Sequence, residues 1–366
     1  MTQPLALTAT LAAMAVGGEP LEAPHPPQAL IRRAIEQLGS RDFAKRRAAA
    51  DRLFEIGPPA IEPLVGAAGS SDLEVSARAV QLILRIGKAA DLEIAPLASQ
   101  ALERIASSAG DVVASRAAQA LVLYRGLTNA KLVALVLEHG GSVVARSERG
   151  APFAIQDRAD RVAMPYIVTT IDLRGSTQVT AGFLKRLGTP AHVTELLMGR
   201  SSVDDAGLAV VCRWSTLKQL SLEQTAVSDA GLEHVRRLRG LQTLELSGTR
   251  ISDAGLPHLA ELHMLASLDL ESTRVTDVGL KRLVALENLA QLNLRGTEIT
   301  DDGVAHLGGL PRLKSLTLWQ TSVSDAGLAH LTGLKRLDFI DLRRTRATDA
   351  GVKTLRRHYP DAAVRR

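Results

Sequence analysis

The feature that most constrains this 366-residue chain is a 24-residue period in its C-terminal half. Units begin at Val193 and recur every 24 residues up to Leu337, with apolar residues at positions 1, 4, 6, 11, 16 and 19. Positions 4 and 6 alternate as in a short strand, whereas positions 16 and 19 step by three, as on one face of a short helix. Seven in-register units predict a solenoid of stacked strand-and-helix coils.

Small and polar residues also recur within the unit. Position 9 is usually Thr, position 12 is Ser or Thr in six of the seven units, position 13 is always Asp, and position 15 is always Gly. The Thr hydroxyl is expected to bond backbone groups in the turn that leaves the strand. The Ser/Thr-Asp pair is expected to cap the helix N-terminus. Because Gly disfavours a helix by about 1 kcal/mol relative to Ala, its recurrence predicts a close backbone contact without room for a Cβ. These residues form a structural corner and are not a catalytic motif.

The L-x-x-L-x-L pattern with this period resembles the leucine-rich repeats of many bacterial proteins and of F-box substrate receptors. The resemblance covers about residues 168–360, and a degenerate first coil of 25 residues that lacks the Asp begins at Val168. It implies a curved α/β solenoid with parallel strands on the concave face, short helices outside, and a protein-binding role. The helical half contains no recognisable F-box, so the ubiquitin-ligase role is not carried over.

The preceding part of the chain contains helical patterns separated by Gly, Pro or Ser. We predict helices at 29–38, 42–56, 59–68, 73–86, 92–107, 112–124 and 132–138. Residues 56–87 contain a helix that begins at a proline and a second helix, and an Ile-Gly sequence bounds this pair on each side. This arrangement resembles HEAT repeats. The predicted domains are a signal-like or disordered N-terminus at 1–27, an all-α HEAT-like solenoid at 28–126, a connecting helix and cap at 127–167, and the leucine-rich-repeat domain with a C-terminal cap at 168–366.

Residues 5–15 are apolar and end in a small-x-small sequence typical of a signal-peptide cleavage site. No Lys or Arg precedes them, so a disordered Ala-rich N-terminus is the alternative. Export to the periplasm or cell envelope is favoured over a cytoplasmic location. The run is too short to span a bilayer, and no later segment is expected to cross one.

Residue types that carry chemistry are few. The single cysteine, Cys212, excludes an internal disulfide framework, and phosphate-binding, hydrolase and zinc-protease motifs are absent. Four histidines share position 18 of their coils: His234, His258, His306 and His330. Stacking would bring them near each other, but no carboxylate or cysteine shares that register. We therefore expect solvated polar positions, no metal, no cofactor and no enzymatic activity.

Charge is concentrated at the C-terminal end. The chain carries a formal +5, and residues 335–366 contain ten Lys or Arg against four Asp. A general nucleic-acid binder would spread its basic surface more widely. Binding of an anionic polymer through this end is one alternative function. Another is an enzyme acting through the helical half, as HEAT-like bilin lyases do by resemblance.

Positions 3, 5, 7 and 8 of each coil are predicted to face the concave side. The residues at these positions differ from coil to coil, whereas the periodic apolar residues are kept. The predicted protein-binding residues are Glu223, Glu245, Asp269, Glu271, Arg295, Trp319, Asp341 and Arg343. An exposed Trp between opposite charges is typical of an interface anchor, and an ordinary charged surface is the alternative. The sequence thus predicts a monomeric, non-enzymatic scaffold or adaptor that binds a protein partner through its concave face, without specific nucleic-acid binding or a membrane span.

Overall fold

The computed structural model describes residues 28–90, 92, 94–108, 111–147, 152–155 and 166–366. Helices alone form the first part of this region, and an 11-stranded sheet with short helices forms the rest. The signal-like segment at residues 1–15 and the leader up to residue 27 lie outside the described residues. Their interpretation therefore stays a prediction.

The helical half is built from successive helices that pack in pairs. They are α1 (Gln28–Gln37), α2 (Phe43–Ile56), α3 (Ile61–Ala68), α4 (Leu73–Ala89), α5 (Ala95–Ser108) and α6 (Asp111–Glu138). Asp42 and Asp72 cap α2 and α4 by accepting backbone N–H groups, as their sequence position predicts. Most helices contact the next helix in the chain, and α1 to α4 each contact the next but one. This is the pattern expected of stacked helix pairs, in agreement with the predicted all-α region.

Helix α6 joins the two halves of the molecule. Val113, Ala117 and Tyr124 belong to the apolar core of the helical half. Leu132 and Val136, further along the same helix, belong to the separate core of the repeat half. One continuous helix thus contributes to both cores and crosses the domain boundary predicted at residue 126.

The prediction of two separate helices in the region of α6 was wrong. Separate helices were predicted at 112–124 and 132–138, but the structure has a single helix, because Gly126 is buried and packing outweighs its low helix propensity. No membrane-crossing candidate was expected, yet among the described residues one helix, Val112–Glu138, is long and apolar enough by length and composition. A core helix of a folded protein meets the same criteria, and α6 packs against α4, α5, and the first strands of the sheet.

The sheet runs through the whole second half. Its strands are β1 (Ser142–Ser147), β2 (Pro152–Ile155), β3 (Tyr166–Asp172), β4 (Glu195–Leu197), β5 (Gln219–Ser221), β6 (Thr243–Glu245), β7 (Ser267–Asp269), β8 (Gln291–Asn293), β9 (Ser315–Thr317), β10 (Phe339–Asp341) and β11 (Ala363–Arg365). From β3 to β11 each strand pairs in parallel with the next. At the first edge, β1 and β2 form an antiparallel hairpin that pairs with β3 and that the sequence analysis did not predict.

Short helices return the chain from each strand to the next. They are α7 (Ala181–Arg186), α8 (Asp205–Val211), α9 (Asp229–Val235), α10 (Asp277–Leu283), α11 (Asp301–Leu307), α12 (Asp325–His330) and α13 (Asp349–His358). The coil that begins at Leu241 has a 3-10 helix instead, Leu256–Leu259. Pro257 explains the difference, because proline lacks the N–H group that an α-helix needs beyond its first turn.

The inside of each coil is filled by the periodic leucines. In the unit at Leu241, the side chains of Leu241, Leu244 and Leu246 are fully buried, and burial of each stabilises the fold by roughly 1.5–3 kcal/mol. The position-9 threonines from Thr225 to Thr321 are also buried. Each position-9 hydroxyl, including that of the half-buried Thr345, donates to the carbonyl three residues earlier, as Thr249 Oγ1 does to Leu246 O at 2.5 Å. The predicted role of this threonine is confirmed.

The position-13 aspartates link each coil to the one that follows. Asp229 Oδ1 accepts the Ser252 backbone N–H at 2.8 Å, and Asp229 Oδ2 accepts the Ser252 hydroxyl at 2.5 Å. The same two bonds form at six successive junctions, from Asp205 to Asp325. We call this row of contacts the aspartate ladder. The Asp was predicted to complement its own helix, whereas its carboxylate bonds the neighbouring coil.

The position-15 glycines lie against this ladder. A Cβ placed on Gly255 would be 2.5 Å from Asp229 Oδ1, and the equivalent glycines from Gly231 to Gly351 meet the preceding carboxylate in the same way. Gly207 is the exception, because the first coil lacks the Asp and the crowding comes from Val203. The prediction that no Cβ fits at position 15 is confirmed, and the group that occupies the space is the Asp carboxylate of the preceding coil.

Gly279→Ala is expected to destabilise the protein by about 1–3 kcal/mol, because its Cβ would collide with Asp253 Oδ1 and Leu256 Cδ1. Chemical denaturation measures this change. Gly66→Ala is the matched control, since a Cβ there meets nothing within 4 Å and α3 should gain stability. Equal effects of the two substitutions would contradict the account. Adding Asp253→Ala should reduce the cost of Gly279→Ala.

Candidate protein-binding face

The sheet presents the variable positions of each coil on one face. Within each strand the central residue, such as Leu244 or Leu268, points into the core, and the residues on either side point outward. After each strand, the residue at position 8 adopts a left-handed backbone, whether it is Gly248 (φ 65°) or Gln224 (φ 52°). Every coil thus leaves its strand by the same turn, and the position-7 side chains stack above one another.

Trp319 lies in this stack between two guanidinium groups. Arg295 Cζ lies 3.7 Å from the centre of the Trp319 ring, and Arg343 Cζ lies 4.2 Å from it on the neighbouring coil. The predicted flanking arginines are in place, but they cover the indole faces. The Trp319 Nε1 atom is buried and has no hydrogen-bond partner among the described residues. The Trp319 side chain is therefore half-buried, and it is not the openly exposed anchor that the sequence predicted.

Carboxylates hold both arginines of this sandwich. Arg295 Nη1 lies 3.1 Å from Glu271 Oε1, and Arg343 pairs with both oxygens of Asp341 at 2.5 and 3.0 Å. Desolvation opposes ionisation of the buried Asp341, but its bonds from Arg343 hold the pKa below its usual range. The row Glu271, Arg295, Trp319, Arg343 and Asp341 is thus internally neutralised. We call it the Arg-Trp-Arg row.

Glu245 and Asp269 differ from this row because neither makes an ion pair within the described part of the chain. They are direct neighbours on β6 and β7. Burial raises the pKa of Asp269, and the charges of Glu271 and Glu245 raise it further, against bonds from the Glu271 N–H and Asn293. We call Glu245 and Asp269 the acidic pair. Among the described residues the pair thus has no salt-bridge partner, although the charge of Glu245 interacts with that of Arg174 from the first coils.

Glu223 lies apart from the acidic pair. Its side chain lies over Gly199, where a Cβ would meet Glu223 Cγ, and its carboxylate is 3.8 Å from Arg200 Nε. At the same end of the sheet Arg174 forms a bidentate pair with Asp172. Of the four predicted carboxylates Glu223, Glu245, Asp269 and Glu271, one is therefore directed to the first coils and one, Glu271, is engaged by Arg295.

Sequence reasoning missed two residues of this face. Asn293 Nδ2 donates to Glu271 Oε2 at 3.2 Å and so holds the carboxylate that pairs with Arg295. Arg200 supplies the cation for Glu223 from position 8. Both occupy variable concave positions, so the 24-residue alignment contains the signal, but it does not specify which neighbours bond.

Other candidate chemistry finds no support. Among the described residues there is no group of three or more His, Cys, Asp or Glu that could hold a metal ion. Cys212 is buried, and desolvation raises the pKa of its thiol to about 12. A thiol with so high a pKa is protonated at neutral pH and is a poor nucleophile.

Comparison with known families agrees with this geometry. Residues 239–260, 261–284 and 285–308 match the family model of the leucine-rich repeat. Together with the parallel strands and stacked coils, this shows a C-terminal leucine-rich-repeat solenoid preceded by an all-helical region. A search of the curated proteins found no match.

Several solved structures are similar to the repeat half. An internalin from Listeria monocytogenes is 19% identical, over 50% of this chain and 56% of that one, with a TM-score of 0.39. Internalin C2 from the same organism is 21% identical, over 51% and 77%, with a TM-score of 0.40. A leucine-rich-repeat protein from Leptospira interrogans is 13% identical, over 50% and 62%, with a TM-score of 0.32. The chain thus spans just over half of the first protein, and at these scores none bears on function.

Trp319→Ala is expected to lower stability by about 1–2 kcal/mol, because two cation–π contacts of roughly 0.5–1 kcal/mol each are lost. Denaturation of Trp319→Ala, Arg295→Ala and the double variant would give the coupling energy. Arg346→Ala, at an exposed residue of the same coil as Arg343, is the control and should be nearly neutral. Strict additivity of the two substitutions would mean that the sandwich does not exist in solution.

Proposed function

We propose that this protein is a non-enzymatic scaffold or adaptor that binds a protein partner through the concave sheet. The leucine-rich-repeat fold supports the general class, since such solenoids provide extended concave binding surfaces. The helical half is proposed to be a HEAT-like extension of the same scaffold. The observation that most supports the concave face as the binding surface is the acidic pair, Glu245 and Asp269, which makes no salt bridge among the described residues.

The charges of the concave face support a partner with a basic patch. The cations Arg174, Arg295 and Arg343 are already paired with carboxylates of the same face. The acidic pair makes no salt bridge within the described part of the chain, and a Lys or Arg from a partner would supply one. Burial is the main cause of the raised pKa of Asp269, and such a contact would offset the added repulsion from Glu271 and Glu245.

The Arg-Trp-Arg row supports a second role for the same surface. Its side chains are fixed by salt bridges and ring contacts before any partner binds, which reduces the entropy lost on association. We propose that the row forms a rigid wall beside the acidic pair. On this proposal Trp319 fixes the positions of the neighbouring side chains, and a partner contacts only the part of the indole that the two arginines leave uncovered.

The test compares two variants with the same change in charge. Glu245→Lys/Asp269→Asn alters the acidic pair, and Glu287→Lys/Asp302→Asn alters exposed residues outside the sheet. Immobilised full-length proteins capture partners from an extract of the native host, and bound proteins are quantified. A true partner should bind wild type and the outer variant equally and the acidic-pair variant about 10-fold less, a loss of about 1.4 kcal/mol.

Thermal melts of both variants establish that the folds are intact. If every protein captured by the wild type is also captured equally by the acidic-pair variant, the concave face is not the binding surface. Salt should weaken a genuine contact, because interactions between exposed charges are screened at high ionic strength.

A further inference from the structure

Most of the positive charge of the last coil is left without an ion pair. Of the ten Lys or Arg within residues 335–366, Arg343 and Arg366 pair with Asp341 and Asp349. The other eight side chains are all exposed, and none makes a salt bridge within the described part of the chain. We call them the basic ring, which consists of Lys335, Arg336, Arg344, Arg346, Lys353, Arg356, Arg357 and Arg365.

The basic ring encircles one coil. Two of its members precede β10 and two follow it, three lie on α13, and one lies on β11. The preceding coil has uncharged residues at the positions that match the members after β10 and on α13, namely Gln320, Ser322, Ala329, Thr332 and Gly333. On the side that precedes the strands, Arg312 and Lys314 continue the positive charge into that coil. The charges thus surround the last coil and do not form a stripe along the whole solenoid.

The surface that carries the basic ring is folded and closed. β11 pairs with β10 at the edge of the sheet. The Tyr359 hydroxyl lies 2.6 Å from both Leu331 O and Leu334 O, and Arg366 Nε donates to Ala347 O at 3.0 Å. These contacts hold residues 359–366 against the last coil, so the cations are spaced by the fold.

The last coil lacks the groups that anchor a protein or a single-stranded nucleic acid. No large apolar side chain of residues 335–366 is exposed, and the rings of Phe339 and Tyr359 are half-buried. The guanidinium of Arg365 also lies 5.2 Å from the centre of the Phe339 ring. Protein interfaces depend on buried apolar or aromatic anchors, and single strands stack their bases on aromatic rings. A partner of the basic ring is therefore recognised by its negative charge.

The arrangement of the ring favours a flat anionic surface. A linear polyanion that runs along the solenoid would meet only one side of the ring. A plane laid across the last coil can be reached from every side, because Lys and Arg have long, flexible side chains. Each Lys or Arg close to an anionic membrane strengthens binding by about 5-fold, so several weak contacts together give stable attachment.

We propose that the basic ring attaches the last coil of this protein to a membrane surface that contains anionic lipids. The cations contact lipid phosphates at the surface, and the ring has no apolar group to insert. The strand β7, which carries Asp269, is three strands from β10, a distance of roughly 14 Å. This exceeds the screening length of about 8–10 Å at physiological salt. The acidic pair is thus not repelled by the membrane, and the attachment does not depend on the proposed protein partner.

Co-sedimentation of the full-length protein with lipid vesicles tests the proposal. One set of vesicles is pure phosphatidylcholine, and the other contains about one-third phosphatidylglycerol. We expect at least about 10-fold stronger binding to the anionic vesicles in about 0.1 M salt, and loss of that preference in about 0.5 M salt. The apolar residues 5–15 are present in every sample, so they do not account for the difference. Equal binding to the two kinds of vesicle would overturn the proposal.

Variants with equal changes in charge locate the surface. Arg346→Gln/Arg357→Gln removes two charges of the ring, and Arg33→Gln/Lys45→Gln removes two exposed charges of the helical half. The ring variant should bind anionic vesicles about 30-fold more weakly, whereas the control should bind like wild type. Equal binding by the two variants would place the contact elsewhere. Tighter binding of duplex DNA than of vesicles at equal phosphate concentration would assign the ring to nucleic acid. The lipid comparison with wild type stands even if a variant does not fold.

Discussion

The aspartate ladder is the contact on which the rest of the repeat half depends. Each carboxylate accepts two hydrogen bonds from the next coil, one from a backbone N–H and one from a hydroxyl. Such bonds specify both the distance and the rotation between neighbours, which burial of leucines alone does not, because apolar contact is non-directional. The glycine of the next coil completes the contact by leaving space for the carboxylate. The Asp of one coil and the Ser or Thr and the Gly of the next coil therefore form a single contact between neighbouring coils.

The concave face follows from this fixed stacking. Because every coil repeats the same offset, side chains at position 7 form a row, and Trp319 is held between Arg295 and Arg343. A small error in rotation would separate the guanidinium groups from the ring. The hydrogen bonds of the aspartate ladder thus also stabilise the arrangement of side chains on the concave face. Substitutions at positions 5 and 7 can therefore change what the concave face binds without changing how the coils stack.

The sequence predicted the fold well where a pattern is repeated and less well where a structure occurs once. The 24-residue period identified the coils, the buried leucines and the role of Thr249 and its equivalents. The β1–β2 hairpin and the continuity of α6 each occur once, so no repetition strengthened their weak local signals. Local rules also assigned the position-13 Asp to its own helix, because a partner 23 residues away has no local signature. The resemblance to F-box repeats stays a prediction.

The candidate site was predicted only as a set of positions. Alignment placed Glu245 and Asp269 side by side and Trp319 between arginines, since neighbouring strands pair in register. It did not predict that Glu223 would lie over Gly199 or that Asn293 would hold Glu271. Those outcomes depend on side-chain rotamers and on competition between neighbouring charges, which a linear pattern does not contain.

Removal of one coil tests most directly whether the ladder sets the stacking. Deleting residues 265–288 would join coils whose ladder residues are Asp253 and Thr300, and the shortened protein should melt cooperatively at a lower temperature. In it, Asp253→Ala should destabilise as much as in the full-length protein, because the Asp253 carboxylate would now bond Thr300. Deleting residues 265–276 instead should abolish cooperative melting of the repeat half. If the two deletions melt alike, or Asp253→Ala has no effect in the shortened protein, the ladder does not set the register.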